Sequence, residues 1–125
     1  MTLYLTLVEV LDMHADQIRR YGGALGVRDV GLVEAAVFRP QIGHYQDLIQ
    51  EASALWESLS QNHPFVDGNK RVAFVATATF LRLNGVAITA DPDTVYEELM
   101  SLYEAGEFRF DNLEAWLRRN TGPLP

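Results

Sequence analysis

Apolar positions along the chain recur mostly at intervals of three and four, the spacing of one helix face, and glycine, proline or asparagine separates these stretches. The first begins at Thr6-Leu7-Val8-Glu9, where a threonine and a glutamate three residues later make a capping box. It predicts a helix to about Arg20 in which Leu7, Leu11 and Ile18 share a core-facing stripe with His14. Tyr21-Gly22-Gly23 stops that helix, because glycine takes the left-handed conformation of a helix end without a Cβ clash. Arg28-Asp29 caps a short second helix from Val30 to Phe38, and Arg39-Pro40 ends it. After an irregular stretch from Gln41 to Gln46, a third helix runs from about Asp47 to Gln61. Its apolar side carries Leu48, Ala52, Leu55 and Leu59, and Asn62 terminates it.

From Asn69 to Leu83 the chain is apolar nearly all round, with charge only at Lys70, Arg71 and Arg82. This predicts a central helix, the most buried one, surrounded by the others. Asn84-Gly85 ends it, Val86-Ala87-Ile88 suits a few residues of extended chain, and Asp91-Pro92 opens a fifth helix to about Tyr103. Asp111 to Glu114 repeats the capping-box spacing and predicts a last helix to Arg119 ahead of a Gly-Pro-rich tail. Six helices without repeats or linkers predict an all-α single domain over residues 1–125, with Trp56 and Trp116 on core-facing stripes.

Composition narrows the chemistry. The absence of cysteine removes disulfides, thiolate metal sites and cysteine nucleophiles together. A net charge of −7 with no basic stripe argues against duplex binding, and Arg19-Arg20 and Arg118-Arg119 fall where cations complement helix dipoles. No direct nucleic-acid partner is expected. Val72 to Leu83, the most apolar segment, falls short of the ~20 residues of a membrane span, and the first residues lack the pattern of a signal peptide. The expectation is a soluble, cytoplasmic protein with no membrane partner.

His63 to Arg71 places an imidazole, a carboxylate, two cations and a glycine in one short string directly before the central helix. The start of a helix exposes unpaired amides and the positive end of its dipole, so the backbone near Gly68, Asn69 and Lys70 can cradle a phosphate. Gly68 allows close approach, while Lys70 and Arg71 bring a point charge and a planar fork. With an anion held there, His63 is the nearby group suited to take a proton from an incoming hydroxyl. Asp67, the only carboxylate in the loop, is a hard ligand suited to Mg²⁺ beside a phosphate. The set fits phosphoryl or nucleotidyl transfer, in which positioning and charge neutralisation carry most of the catalysis. The alternative is a structural one, with His63 and Asp67 capping helix ends and the two cations solvated.

His63-Pro64-Phe65-Val66-Asp67-Gly68-Asn69-Lys70-Arg71 resembles the Fic/Doc signature H-P-F-x-[DE]-G-N-[GK]-R at every defined position. Thr6 to His14, Tyr21-Gly22-Gly23, Gly26 to Gly31, Arg39-Pro40-Gln41, Phe80 to Gly85 and Trp116-Leu117-Arg118 extend the resemblance to the death-on-curing branch over essentially the whole chain. The resemblance implies a six-helix fold whose active-site loop, residues 63–71, precedes the central helix, with a substrate-docking flap at about residues 39–45. It implies His63 as base, Asp67 as the Mg²⁺-associated acid, Arg71 as a further catalytic residue, and Gly68, Asn69, Lys70 and Arg71 as ligands of ATP. Members with glycine at the position of Lys70 usually transfer AMP. Lysine there implies a nucleotide turned round, γ-phosphate towards the histidine, and phosphorylation of elongation factor Tu by a toxin that arrests translation.

AMP transfer to a protein hydroxyl, and a catalytically silent module that binds nucleotide or antitoxin, are the alternatives. Thr94-Val95-Tyr96-Glu97-Glu98-Leu99 matches the glutamate of the family's inhibitory helix but not its last position, so a separate Phd-like antitoxin is implied. His14 reads as a hydrogen-bonded core histidine, His44 as a solvated loop residue, and Glu97, Glu98 and Glu104 as a solvated acidic face.

Overall fold

At the centre of the molecule α3 (Leu48–Gln61) packs along α4 (Asn69–Leu83), and the remaining elements close around this pair. The structure, a computed structural model, describes residues 1–125. α1 (Leu7–Tyr21) lies against α4, α2 (Val30–Phe38) against α3 and α1, and α6 (Phe110–Arg119) against α3, while α5 (Pro92–Glu104) precedes α6. The fold is a mostly helical single domain with six helices, as the periodicity predicts.

Local chemistry sets the boundaries. Both halves of the capping box at α1 are formed, with Glu9 N donating to Thr6 Oγ1 at 3.2 Å and Thr6 N to Glu9 Oε1 at 2.9 Å. Asp29, Asp47 and Asp91 cap α2, α3 and α5 in the same sense. α6 departs from expectation. It starts at Phe110, and its N-cap, Arg109, makes no side-chain bond, so the box inferred at Asp111 is not used. Glu57 of α3 accepts from Phe110 N at 2.7 Å instead, which satisfies the helix end across the fold.

The burial of the two central helices also differs from the reading of the sequence. α3 is the more enclosed, because Ser53, Ser58 and Ser60 lie buried within it alongside Ala52, Leu55, Trp56 and Leu59. These serines sit in an apolar environment because each hydroxyl has a partner, one within the helix and two from other segments. Ser53 Oγ donates to the Ile49 carbonyl at 2.8 Å, Ser58 Oγ accepts from Arg39, and Ser60 Oγ shares a 2.7 Å bond with the Tyr103 hydroxyl. α4 buries Val72, Ala73, Ala76, Thr77, Phe80 and Leu81, while Phe74, Val75 and Ala78 line an open groove against α5. On α1 the fully enclosed position between the predicted stripe residues is Val10; Leu7 and Leu11 are only half-buried.

Two elements are additional to the sequence reading. Arg39–Gln41 forms a 3₁₀ turn where Pro40 supplies the required backbone angle, so the irregular stretch begins one residue later. Val86–Ile88 is the extended segment expected, β1, but it is paired antiparallel with β2 (Thr121–Pro123) in the register Val86 to Pro123. Trp56 and Trp116 meet in the core at 5.6 Å between ring centroids, both almost fully buried. No helix is long and apolar enough to cross a membrane.

Arg39 ties the segment after α2 to the core. Its guanidinium donates to Glu57 at 2.9 Å, to Ser58 Oγ at 2.9 Å, to the Ala54 carbonyl at 3.3 Å and to the Tyr45 hydroxyl at 2.8 Å. Burial works against its charge, but Tyr45 and Glu57 outweigh that and hold the guanidinium protonated above its ordinary value. Arg39→Ala removes these bonds and leaves Glu57 half-buried without its cation. It is expected to destabilise the fold by about 2 kcal/mol, read as a lower urea midpoint with an unchanged slope.

Candidate active site

The loop that joins α3 to α4 carries His63, Asp67 and Gly68, and the first turn of α4 carries Asn69, Lys70 and Arg71. Its shape is fixed from below by Phe65, which is 1% exposed. The ring of His14 lies flat on Phe65, with centroids 3.8 Å apart and planes 8° apart, and its Nε2–H donates to the Asp67 carbonyl at 2.6 Å. His14 is thus the buried, hydrogen-bonded residue expected, and it serves as the floor of the loop. Asn69 closes the loop with two bonds of 3.0 Å, donating from Nδ2 to the Phe65 carbonyl and accepting from the Phe65 amide. Its side chain is therefore committed to backbone, and its amide is what remains for a ligand.

A second loop, between α1 and α2, braces the first. Val27 and Phe65 form an antiparallel bridge, Val66 N donates to the Gly26 carbonyl at 3.1 Å, and the amides of Arg28 and Asp29 both donate to the Pro64 carbonyl. Arg28 also donates from Nε to the His63 carbonyl at 2.8 Å and from Nη2 to the carbonyls of His63 and Asn62. His63 is exposed and has φ of 47°, the only positive φ outside glycine. For an L-residue that conformation costs about 1–2 kcal/mol, so it persists because the surroundings impose it.

Gly68 takes φ of 75° to turn the chain into α4, and a Cβ there would sit 3.0 Å from Ile18 and 3.3 Å from Arg71. Its amide donates to Asp67 Oδ1 at 2.8 Å, while Ala24 N donates to Asp67 Oδ2 at 3.1 Å. The amides of Ala24 and Gly68, with Arg71 and His14 adding to them, hold the Asp67 carboxyl below its ordinary value. No protein acceptor meets the amides of Asn69, Lys70 and Arg71, so three N–H groups at the positive end of a fifteen-residue helix face outward.

The two cations are placed differently from one another. Arg71 donates to the Gly22 carbonyl at 2.9 Å and lies beside Asp67, crossing from α4 to the end of α1. Lys70 Nζ sits over the ring of Tyr103, 4.5 Å from its centroid. Burial pushes the Tyr103 hydroxyl up to about 12, so the ring under Lys70 stays neutral. Lys70, Arg71 and Arg82 edge the groove between α4 and α5, about 680 Å³ in volume, in which 10 of 15 lining residues are hydrophobic and none is acidic. His63 and Asp67 lie outside it, so the loop and the groove meet only at the two cations.

A sequence search for charged and catalytic residue types misses four participants: Arg28, His14 as a support, the side chain of Asn69 and Tyr103. Arg28 contacts residues 34 and 35 positions away, a separation that no local pattern encodes. Glu98, on the segment similar to the inhibitory helix, accepts from Trp116 Nε1 at 3.0 Å. His44 is exposed beside Tyr45.

Comparison with known proteins places this geometry in context. The sequence profile of the Fic/DOC family matches residues 4–81. Toxin Doc of Mycolicibacterium smegmatis (strain ATCC 700084 / mc(2)155) is 44% identical over 123 residues, which cover 94% of this chain and 92% of that protein. Protein kinase doc of Escherichia phage P1 is 31% identical over 118 residues, 91% of this chain and 92% of that protein.

The depressed Asp67 carboxyl sets a pH dependence. Its contacts with Ala24 and Gly68 act fully above the ordinary carboxylate value of 3.8 and fade as pH falls through the lowered one. The stability difference between the native chain and Asp67→Asn should stay constant from neutrality to about pH 5 and shrink below about pH 4 in urea titrations.

Proposed function

The chain belongs to the Fic/DOC family, and from that premise we propose that it is a toxin that transfers the γ-phosphate of ATP to a hydroxyl of a translation factor. By resemblance to the family, that factor is elongation factor Tu and the outcome is translation arrest. One observation carries the reading: an exposed imidazole and an ionised carboxylate on one loop adjoin three unpaired amides in the helix turn that follows it, and buried contacts hold that loop in one shape. The names of the two relatives, a toxin and a protein kinase, support the same class.

In this reading the phosphates rest on the amides of Asn69, Lys70 and Arg71, aided by the dipole of α4. His63 takes the proton of the target hydroxyl as its oxygen bonds to the γ-phosphorus. The bond from that phosphorus to the ADP oxygen breaks, ADP leaves, and the imidazolium returns its proton to solvent. Asp67 fits Mg²⁺, since a lone ionised carboxylate beside phosphate oxygens is a usual setting for that ion. When bound, the ion shields the charge of the phosphates. No group of three or more His, Cys, Asp or Glu side chains could hold a metal independently of nucleotide.

Lys70 must leave the face of Tyr103 to reach a phosphate, exchanging a cation–π contact of about 0.5–2 kcal/mol for a charge-assisted hydrogen bond. Its long stem occupies room that glycine would leave open, which favours a nucleotide held by its outer phosphates. The segment at residues 39–45, with His44 and the glycine-turned chain at Gly43 exposed, is the flap this reading assigns to the protein substrate. Arg39 and Tyr45 are its fixed ends.

The test is incubation of the chain with elongation factor Tu, Mg²⁺ and ATP labelled at either the α or the γ position. Label entering the factor from the γ position alone is expected, and His63→Ala should lower its rate by about 10²–10⁴-fold. Label retained from the α position would establish AMP transfer instead. Equal growth arrest by the native chain and His63→Ala on induced expression would establish a binding role without catalysis.

The apolar groove edged by Lys70, Arg71 and Arg82 suits the antitoxin partner that the toxin reading requires. Its lining calls for an amphipathic helix whose apolar face meets Phe74, Val95 and Leu99 and whose flanks are acidic. Ala78→Arg places bulk and a further charge in the groove. It is expected to abolish co-purification with an antitoxin encoded beside the gene.

A further inference from the structure

His63 has no side-chain partner. No carboxylate, hydroxyl or amide side chain bonds its imidazole, and the ring is exposed. A base without such an orienting group must take its direction from its own backbone. That backbone is set unusually tightly. The carbonyls of Asn62, His63 and Pro64 all accept hydrogen bonds from one dipeptide, Arg28-Asp29. Two of these three carbonyls are reached by the Arg28 guanidinium, and no other side chain hydrogen-bonds to them.

The anchoring end is equally defined. Asp29 is the N-cap of α2, accepting from Leu32 N at 3.3 Å, and α2 packs on α3, the helix that leads into His63. Arg28 therefore reaches from one helix start to the chain that leaves another. Its planar fork suits this task, because Nε and Nη2 can meet adjacent carbonyls together while an ammonium offers no such fixed pair. Fixing the peptide planes on both sides of His63 fixes its left-handed φ of 47°, and hence the direction of its Cα–Cβ bond.

We propose that Arg28 is the positioning residue for His63: its clamp on the Asn62 and His63 carbonyls holds the backbone conformation that aims the imidazole at the acceptor hydroxyl. The inference rests on the reading of His63 as the base. Arg28 touches neither ATP nor the acceptor in this scheme, so its loss slows the proton transfer and leaves nucleotide binding on the Asn69, Lys70 and Arg71 amides as it was.

The experiment compares native chain, Arg28→Ala, Arg28→Lys and His63→Ala, with elongation factor Tu and γ-labelled ATP in the presence of Mg²⁺. Misplacing a reacting group by about 1 Å costs on the order of 10²-fold, so Arg28→Ala should lose about that much in kcat with KM for ATP within about twofold. Arg28→Lys should remain impaired, and added guanidinium ion at millimolar concentration should restore part of the rate of Arg28→Ala but none of that of His63→Ala. Far-UV circular dichroism and thermal melts accompany each variant. If Arg28→Ala does not fold, the kcat and KM of Arg28→Lys decide.

Native kcat in the folded Arg28 variants, with His63→Ala inactive, would overturn the positioning role alone. A loss confined to KM, or one that guanidinium fails to restore and that matches the loss of folded protein, would overturn it as well. Native kcat in His63→Ala would instead sink the reading of His63 as base.

Discussion

The arrangement at the start of α4 depends on one anchored side chain, Phe65. Its ring is held beneath the loop by the stacked imidazole of His14, its backbone is gripped on both polar atoms by Asn69, and its neighbour in the bridge is Val27. Those contacts draw on α1, α4 and the α1–α2 loop. A loop that would otherwise sample many conformations is thereby reduced to one, and the entropy of ordering it is met by burial of an aromatic ring and by satisfied backbone groups. With Phe65 fixed, the chain has only a few residues on either side in which to present His63, Asp67 and the unpaired amides.

Much of the helical frame was legible because it rests on short-range chemistry. Thr6 and Glu9 bond across three residues, Asp29, Asp47 and Asp91 cap helices one residue on, and Gly68 turns the chain where α4 begins. The start of α6 was not legible in the same way, since its cap comes from Glu57 on another helix. Nor was the depth of α3, whose serines look polar as letters but bond to carbonyls and hydroxyls within reach. The pairing of β1 with β2 joins segments more than 30 residues apart, and three residues of extended chain carry too little alternation to announce a partner.

The chemical loop divides along the same line. Its residue types and spacing were readable, so His63, Asp67, Gly68, Asn69, Lys70 and Arg71 could be named before any geometry. What they touch could not. Asn69 turns inward to the Phe65 backbone, Arg71 crosses to the end of α1, and Lys70 rests on an aromatic ring from α5. The partners of Arg71 and Lys70 are distant in sequence, while that of Asn69 lies four residues back but is backbone, which residue type does not reveal. The cations consequently stand at a junction, with the open amides on one side and the apolar groove on the other, in a chain of net charge −7. A molecule that is acidic elsewhere concentrates its attraction for anions at that junction.

The core holds a further practical consequence. The chain has two tryptophans, and they are packed against each other and shielded from solvent, with Phe108 against Trp56. Neither belongs to the loop between α3 and α4. Intrinsic emission therefore monitors consolidation of the interior as a single optical signal, while a fluorophore introduced on the exposed 24–30 segment would watch the loop separately. The same molecule can thus be followed in two colours, one for the integrity of its scaffold and one for the state of its reactive edge.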